Sequence, residues 1–126
     1  MRLLIADDHE AIRKGVRSIL AHRTDIEVCG EATNGREAID KAVELKPDLI
    51  IMDINMPVLG GFAASQEIRQ LMPEVPILFF SVHESRRMVE EARAMGIQGF
   101  VSKDQAGTIL LEAIDALSSK KDFFPI

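Results

Sequence analysis

Leu49-Ile50-Ile51-Met52-Asp53-Ile54-Asn55-Met56-Pro57 decides the fold of this chain. Its first four residues form a short apolar run rich in branched side chains, the pattern of a strand buried on both faces, as in a parallel sheet. Asp53 stands where that strand emerges. In an open parallel sheet the carboxyl edge of the strands is where ligands bind, so an acid there is a candidate for chemistry. A second apolar run, Leu3-Leu4-Ile5-Ala6, ends the same way in Asp7 and Asp8.

Working outward, strands and amphipathic helices alternate five times. Strands are expected at about residues 2–6, 26–32, 48–53, 76–81 and 99–102. The first helix carries Ile12, Val16, Ile19 and Leu20 on one face. Asn34-Gly35-Arg36-Glu37 has the form of a capping box, and the helix it opens turns Ala38, Ile39, Ala42 and Val43 inward before Pro47. Pro57 to Gly61 reads as a turn, followed by a helix with Ile68, Leu71 and Met72 that ends at Pro73. Ser85 caps a helix with Met88, Ala92 and Met95 inward and Gly96 as its stop. Asp104 is the expected cap of the last helix, where Ile109, Leu110, Ala113, Ile114 and Leu117 face the sheet. Lys120 and Lys121 complement that helix's negative end.

Five βα units imply an α/β fold with a parallel sheet covered on both faces, because right-handed crossovers place the helices so. Five strands are too few for an eight-stranded barrel. The expected architecture is therefore a flavodoxin-like doubly wound (βα)5 domain, with a five-stranded parallel sheet of order 2-1-3-4-5. The chain has 126 residues, which suits one domain over residues 1–118, with residues 119–126 starting a linker or tail.

A hydrophobic fraction of 47% and a charged fraction of 28% are ordinary globular values. No apolar stretch is long enough to span a bilayer, and the start turns acidic at Asp7, too early for a signal peptide, so a cytoplasmic protein with no membrane association is expected. The net charge of −5 argues against direct nucleic-acid binding by this segment, since gripping phosphates is work for Lys and Arg. The single cysteine, Cys29, is read as a small buried apolar residue. Asp7-Asp8-His9-Glu10 stands where a glycine-rich phosphate loop would open the first helix, which excludes that kind of nucleotide site.

The carboxyl edge thus collects Asp7, Asp8, Asp53, Ser81 and Lys103. Gathering three carboxylates costs about 1 kcal/mol per pair at 4 Å in water and roughly 4 at a partly buried site, so a compensating cation is needed. Mg²⁺ suits such a hard oxygen set. A metal beside a nucleophilic Asp53, with donors from Lys103 and Ser81, fits phosphoryl transfer to form an acyl phosphate.

At these residues the chain resembles the receiver domain of bacterial two-component response regulators, over about residues 1–118. Carried over, the resemblance makes Asp53 the phosphoacceptor for a histidine kinase. Asp8, the Asp53 side chain and the Asn55 main-chain carbonyl would bind Mg²⁺, and Asp7 would help through water. Ser81 and Phe100 would be the switch, and Lys103 would pair with the phosphate. Asp8-His9-Glu10, Glu31-Ala32-Thr33-Asn34-Gly35 and Ala94-Met95-Gly96-Ile97-Gln98-Gly99-Phe100 are similar to receivers of LuxR-type (NarL/FixJ) helix-turn-helix transcription regulators. That implies a C-terminal DNA-binding output domain or a homodimer partner as the target of the switch. A stand-alone receiver acting through protein contacts is the alternative.

Each residue also has an ordinary structural role to weigh. Asp8 could simply cap a helix, Lys103 could be a solvated lysine, Ser81 a strand-end hydroxyl and Phe100 a core aromatic. His9 and His83 lack metal-ligand spacing and read as peripheral, with His83 a candidate for tuning phosphate lifetime. Phe123-Phe124 either packs on the domain or awaits a partner segment. Two positions depart from many receivers: Asp104 replaces proline after Lys103, and Val82 follows Ser81 where Ala or Gly is common. An aspartyl-phosphate phosphohydrolase would need a second Asp two residues after Asp53, and Asn55 cannot deliver a proton. The chain is therefore expected to be a switch that assists only its own phosphorylation and dephosphorylation.

Overall fold

The computed structural model describes residues 1–82 and 85–125; His83, with its suggested effect on phosphate lifetime, lies outside them. The elements are β1 (Arg2–Ala6), α1 (Glu10–Leu20), β2 (Glu27–Ala32), α2 (Gly35–Leu45), β3 (Leu49–Asp53), α3 (Gly61–Leu71), β4 (Ile77–Ser81), α4 (Arg86–Ala94), β5 (Gly99–Ser102), a single 3-10 turn (Lys103–Gln105) and α5 (Ala106–Ser118). The strands form one parallel sheet ordered β2-β1-β3-β4-β5. This is the expected flavodoxin-like arrangement.

Period-two alternation splits the core between the two faces of the sheet. Leu4, Ile50, Met52, Phe79 and Phe100 pack with Ala38, Ile39, Ala64, Ile68, Val89 and Ala92 from α2, α3 and α4. On the opposite face, Leu3, Ile5, Ile51, Leu78 and Val101 pack with Val16, Leu20, Leu110, Ala113, Ile114 and Leu117 from α1 and α5. All five residues of β3 are buried, Asp53 included. Each fully buried aliphatic side chain stabilises the fold by about 1.5–3 kcal/mol, so β3 is fixed strongly and delivers Asp53 to a defined place.

The caps hold with small changes. Asn34 Oδ1 accepts from Glu37 N–H at 2.8 Å, but Glu37 reaches back to Thr33 N–H, one residue before the cap. Ser85 Oγ accepts from Met88 N–H at 3.1 Å, and Gly96, at φ +87°, ends the α4 region.

Four expectations are corrected. Asp104 does not cap α5: its carboxylate accepts from the Ser102 hydroxyl, and the 3-10 turn intervenes before the helix begins. Val43, expected inward, is 47% exposed, and Leu71 is 56% exposed. Both line a groove between the ends of α2 and α3 with Pro47, Met72 and Val75, so helical spacing identifies their face but not the overhang of the last turns. Cys29 is only partly buried, because β2 is an edge strand; what burial there is pushes its thiol pKa up.

After α5 the chain turns back to the sheet. Phe123 N–H donates to Gln98 O and Phe100 N–H donates to Phe123 O, both at 2.9 Å, a parallel bridge along the outer edge of β5. Phe124 packs against the core on the α4 side, with the Arg93 guanidinium 4.3 Å from its ring centre. The Phe123-Phe124 pair therefore packs on the domain and covers a sheet edge that would otherwise be open.

The loop from β3 to α3 holds a strained turn. Val58 sits at φ +69° beneath a Leu59 N–H to Pro57 O bond of 2.7 Å, the three-residue pattern of the rarer, strained γ-turn. A β-branched residue in the left-handed region costs about 1–2 kcal/mol, and Val58 recovers little by burial at 81% exposure. Val58→Gly is expected to raise stability by about 1 kcal/mol, read as a higher urea midpoint at unchanged slope. A lower midpoint would show that the turn is not under strain.

Candidate functional site

The register of the sheet brings the acids together. β1 and β3 are paired with Ala6 opposite Met52, so Asp7 and Asp53, the next residue of each, leave the sheet side by side. Asp7 N–H donates to Ala32 O at 2.9 Å, which extends the β1 and β2 pairing by one residue and holds the Asp7 main chain in place. Asp7 is 1% exposed and Asp53 3%. Lys103, with its side chain 7% exposed, brings its Nζ 2.6 Å from Asp7 Oδ2 and 3.3 Å from Asp53 Oδ1. The ammonium also lies 5.8 Å from the centre of the Phe80 ring.

Asp8 and His9 complete the cluster. His9 Nδ1 is 3.3 Å from Asp7 Oδ1 and 3.2 Å from Asp8 Oδ1, and its main-chain N–H donates to Asp7 Oδ1 at 2.9 Å. One donor atom from each of Asp7, Asp8, His9 and Asp53 lies within 4.8 Å of the others. His9, read from sequence as peripheral, is thus part of the acid edge. The signal was its place at the N-cap of α1 directly after the two acids, which forces a tight turn.

Asn55 stands exposed just beyond, its N–H 3.4 Å from Asp53 Oδ1. Ser81, fully buried, ends β4 opposite Ser102. Phe100 is 1% exposed and meets Phe79 edge to face at 6.3 Å, so its ring lies inside the core.

Electrostatics at this edge are unbalanced. Burial raises the Asp53 pKa above its ordinary value, repulsion from Asp7 adds to the rise, and Lys103 opposes it. The Lys103 ammonium contacts two of the three carboxylates, Asp7 and Asp53. Among the described residues, Asp7 Oδ2 and Asp8 Oδ1 are buried without an aligned hydrogen-bond donor; the Lys103 contact to Asp7 is an ion pair whose geometry is not that of a hydrogen bond. Hard oxygen donors with unused lone pairs, clustered at excess negative charge, fit a divalent cation such as Mg²⁺.

An open α/β sheet whose carboxyl edge holds three acids and a buried lysine defines a narrow class of protein. The chain matches the response regulator receiver domain family over residues 3–115, and it belongs to that family. It is 33% identical over 119 residues to the transcriptional regulatory protein LnrK of Bacillus subtilis, covering 94% of this chain and 54% of that protein. It is 35% identical over 124 residues to the response regulator protein VraR of Staphylococcus aureus, covering 98% and 59%. Among solved structures, a LuxR-family two-component response regulator from Aurantimonas superposes with a TM-score of 0.92 at 31% identity, covering 97% of this chain and 87% of that one. The non-phosphorylated receiver domain of RcsB from Escherichia coli superposes at 0.93 with 27% identity, covering 100% and 98%. The receiver is thus of the kind found in LuxR-type regulators, and the chain spans between 54% and 59% of the length of these curated relatives. Among the described residues no helix is long and apolar enough to cross a membrane.

Proposed function

We propose that the chain is a phosphorylatable switch in which Asp53 accepts a phosphoryl group from a histidine kinase. The observation that carries this reading is the buried Asp53 carboxylate, held 3.3 Å from Lys103 Nζ beside Asp7 and Asp8. In the step, a carboxylate oxygen of Asp53 attacks phosphorus, the bond from phosphorus to the donor imidazole breaks, and the imidazole leaves with the electron pair and takes up a proton. The product is an acyl phosphate. Asp8, the Asp53 side chain and the Asn55 carbonyl would hold Mg²⁺, with Asp7 helping through water; bound there, the ion would neutralise charge on the transferring oxygens. Lys103 would pair with the phosphoryl group, and Ser81 would donate to it.

Phe100 would carry the change outward. Its N–H is bonded to Phe123 O, so Phe100 and the segment after α5 share a main-chain contact. The surface of α4 and β5 would then alter its affinity for a second copy or for an output domain. A DNA-binding output is supported by the longer curated relatives, one of them a transcriptional regulatory protein, and by the RcsB neighbour solved as a DNA complex. A cytoplasmic location, where the kinase's phosphodonor domain would be met, completes the reading.

Beryllofluoride, a phosphoryl mimic, tests the switch. With Mg²⁺ it should shift the amide resonances of Asp53, Ser81, Phe100 and Phe123 together; shifts confined to the acid edge would contradict the route through Phe100. Val82, 61% exposed directly after Ser81, would narrow water's approach to the acyl phosphate. Val82→Ala should lose phosphate severalfold faster than wild type, and an unchanged or slower rate would count against that role.

A further inference from the structure

The turn that carries Asp8 is braced by a residue the acid edge does not contain. Arg13, one turn into α1 with its side chain 13% exposed, folds back on the start of its own helix. Its terminal nitrogen donates to the Asp7 carbonyl oxygen at 2.7 Å, and its Nε donates to Glu31 Oε1 at 2.9 Å. Glu31 is itself fixed: it pairs with Ile5 in the sheet, its Oε1 receives Arg17 at 2.6 Å, and its carbonyl accepts from Lys41 Nζ.

The Asp7 carbonyl belongs to the peptide that joins Asp7 to Asp8. Asp7 N–H is tied to Ala32, Asp7 Oδ1 receives His9 N–H, and Asp7 Oδ2 pairs with Lys103. The carbonyl contact with Arg13 removes the remaining freedom, rotation of that peptide plane, which would swing the Asp8 carboxylate away from Asp53. We propose that Arg13, oriented by Glu31, is a positioning residue for the cation site: it sets the direction of Asp8 and so the affinity for Mg²⁺. This rests on the reading of the acid edge given above.

Charge and geometry predict opposite signs, which makes the idea testable. Removing a nearby positive charge makes the acid edge more negative and by Coulomb's law tightens a divalent cation. Loss of the brace loosens it. The two effects can be read on the unphosphorylated chain by following amide shifts during Mg²⁺ titration; the chain has neither Trp nor Tyr to serve as a fluorescent reporter.

Arg13→Gln should weaken Mg²⁺ binding on the order of tenfold, the usual cost of losing a group that orients a metal ligand, with hydrogen-exchange protection of β1 and β3 unchanged. Arg17→Gln, which touches Glu31 but not Asp7, should bind Mg²⁺ as wild type does or slightly more tightly. Arg13→Lys keeps the charge but not the two-pronged fork, and should fall between wild type and Arg13→Gln. It also serves as the test should Arg13→Gln fail to fold. Wild-type or tighter binding by Arg13→Gln, full affinity in Arg13→Lys, or equal weakening by Arg17→Gln would each overturn the proposal. A wild type without any Mg²⁺-dependent shift would overturn it as well, but by removing the cation site itself, which is a distinguishable failure.

Discussion

Gly61→Ala should destabilise the domain by about 3 kcal/mol, although it adds a single methyl group. Gly61 opens α3, and its N–H donates to Ile54 O at 2.7 Å, which presses the helix onto the end of β3. A Cβ at this position would stand 2.1 Å from the Asp53 carbonyl oxygen, 2.8 Å from Ile54 Cα and 2.9 Å from the Asp53 carbonyl carbon. All three obstacles are main chain and cannot rotate away. Either α3 lifts from the sheet or the end of β3 moves, and the second displaces the Asp53 side chain. The urea midpoint should fall at unchanged slope, and phosphorylation of the folded fraction should slow with it. Gly60→Ala is the control, since its Cβ would meet only Ile54 O, at 3.3 Å. Equal stability of the two variants would show that α3 is not packed against β3 as described.

Asp53→Asn should have two opposite effects: it ends phosphate acceptance and makes the metal-free domain more stable. Burial and Asp7 raise the Asp53 pKa above its ordinary 3.8, so the folded state binds the Asp53 proton more tightly than the unfolded chain. The resulting penalty on folding is absent below the ordinary value, grows as pH rises from there, and is complete above the raised value. The amide carries no such penalty, while Lys103 keeps Asp7 as a partner at 2.6 Å. The stability advantage of Asp53→Asn should therefore widen from acidic to neutral pH. Added Mg²⁺ should narrow it by stabilising wild type more than the variant. Urea titrations across that pH range, with and without Mg²⁺, measure both trends; an advantage that is constant with pH would contradict the electrostatic origin assigned to it.

Much of this was legible because the signals are local. The apolar run of β3 needs burial on both faces, and the buried strand then carries Asp53 to the sheet edge. Asn34 and Ser85 cap their helices because each sits before an amphipathic run with a free N–H three residues on. The misses share a different cause. Asp104 fails as a cap because the Ser102 hydroxyl claims its carboxylate first, a competition that spacing does not reveal. Val43 and Leu71 lie on the expected helix face but beyond the reach of the sheet. The docking of Phe123 beside Gly99 joins segments far apart in sequence through main-chain bonds, for which side-chain pattern is silent. Arg13 was invisible for the same reason: its partner in the acid edge is a carbonyl oxygen.

At the acid edge, the residue types were legible but their balance was not. Sequence brings Asp7, Asp8, Asp53 and Lys103 to the same strand ends, whereas the ion pairs of Lys103 with both Asp7 and Asp53, and the entry of His9, depend on turn geometry.

Intact mass shows whether Asp53 is a covalent acceptor. After incubation with a small acyl-phosphate donor and Mg²⁺, the wild-type chain should gain the mass of one phosphoryl group and Asp53→Asn should gain none. No added mass on wild type, or undiminished addition to Asp53→Asn, would contradict the account.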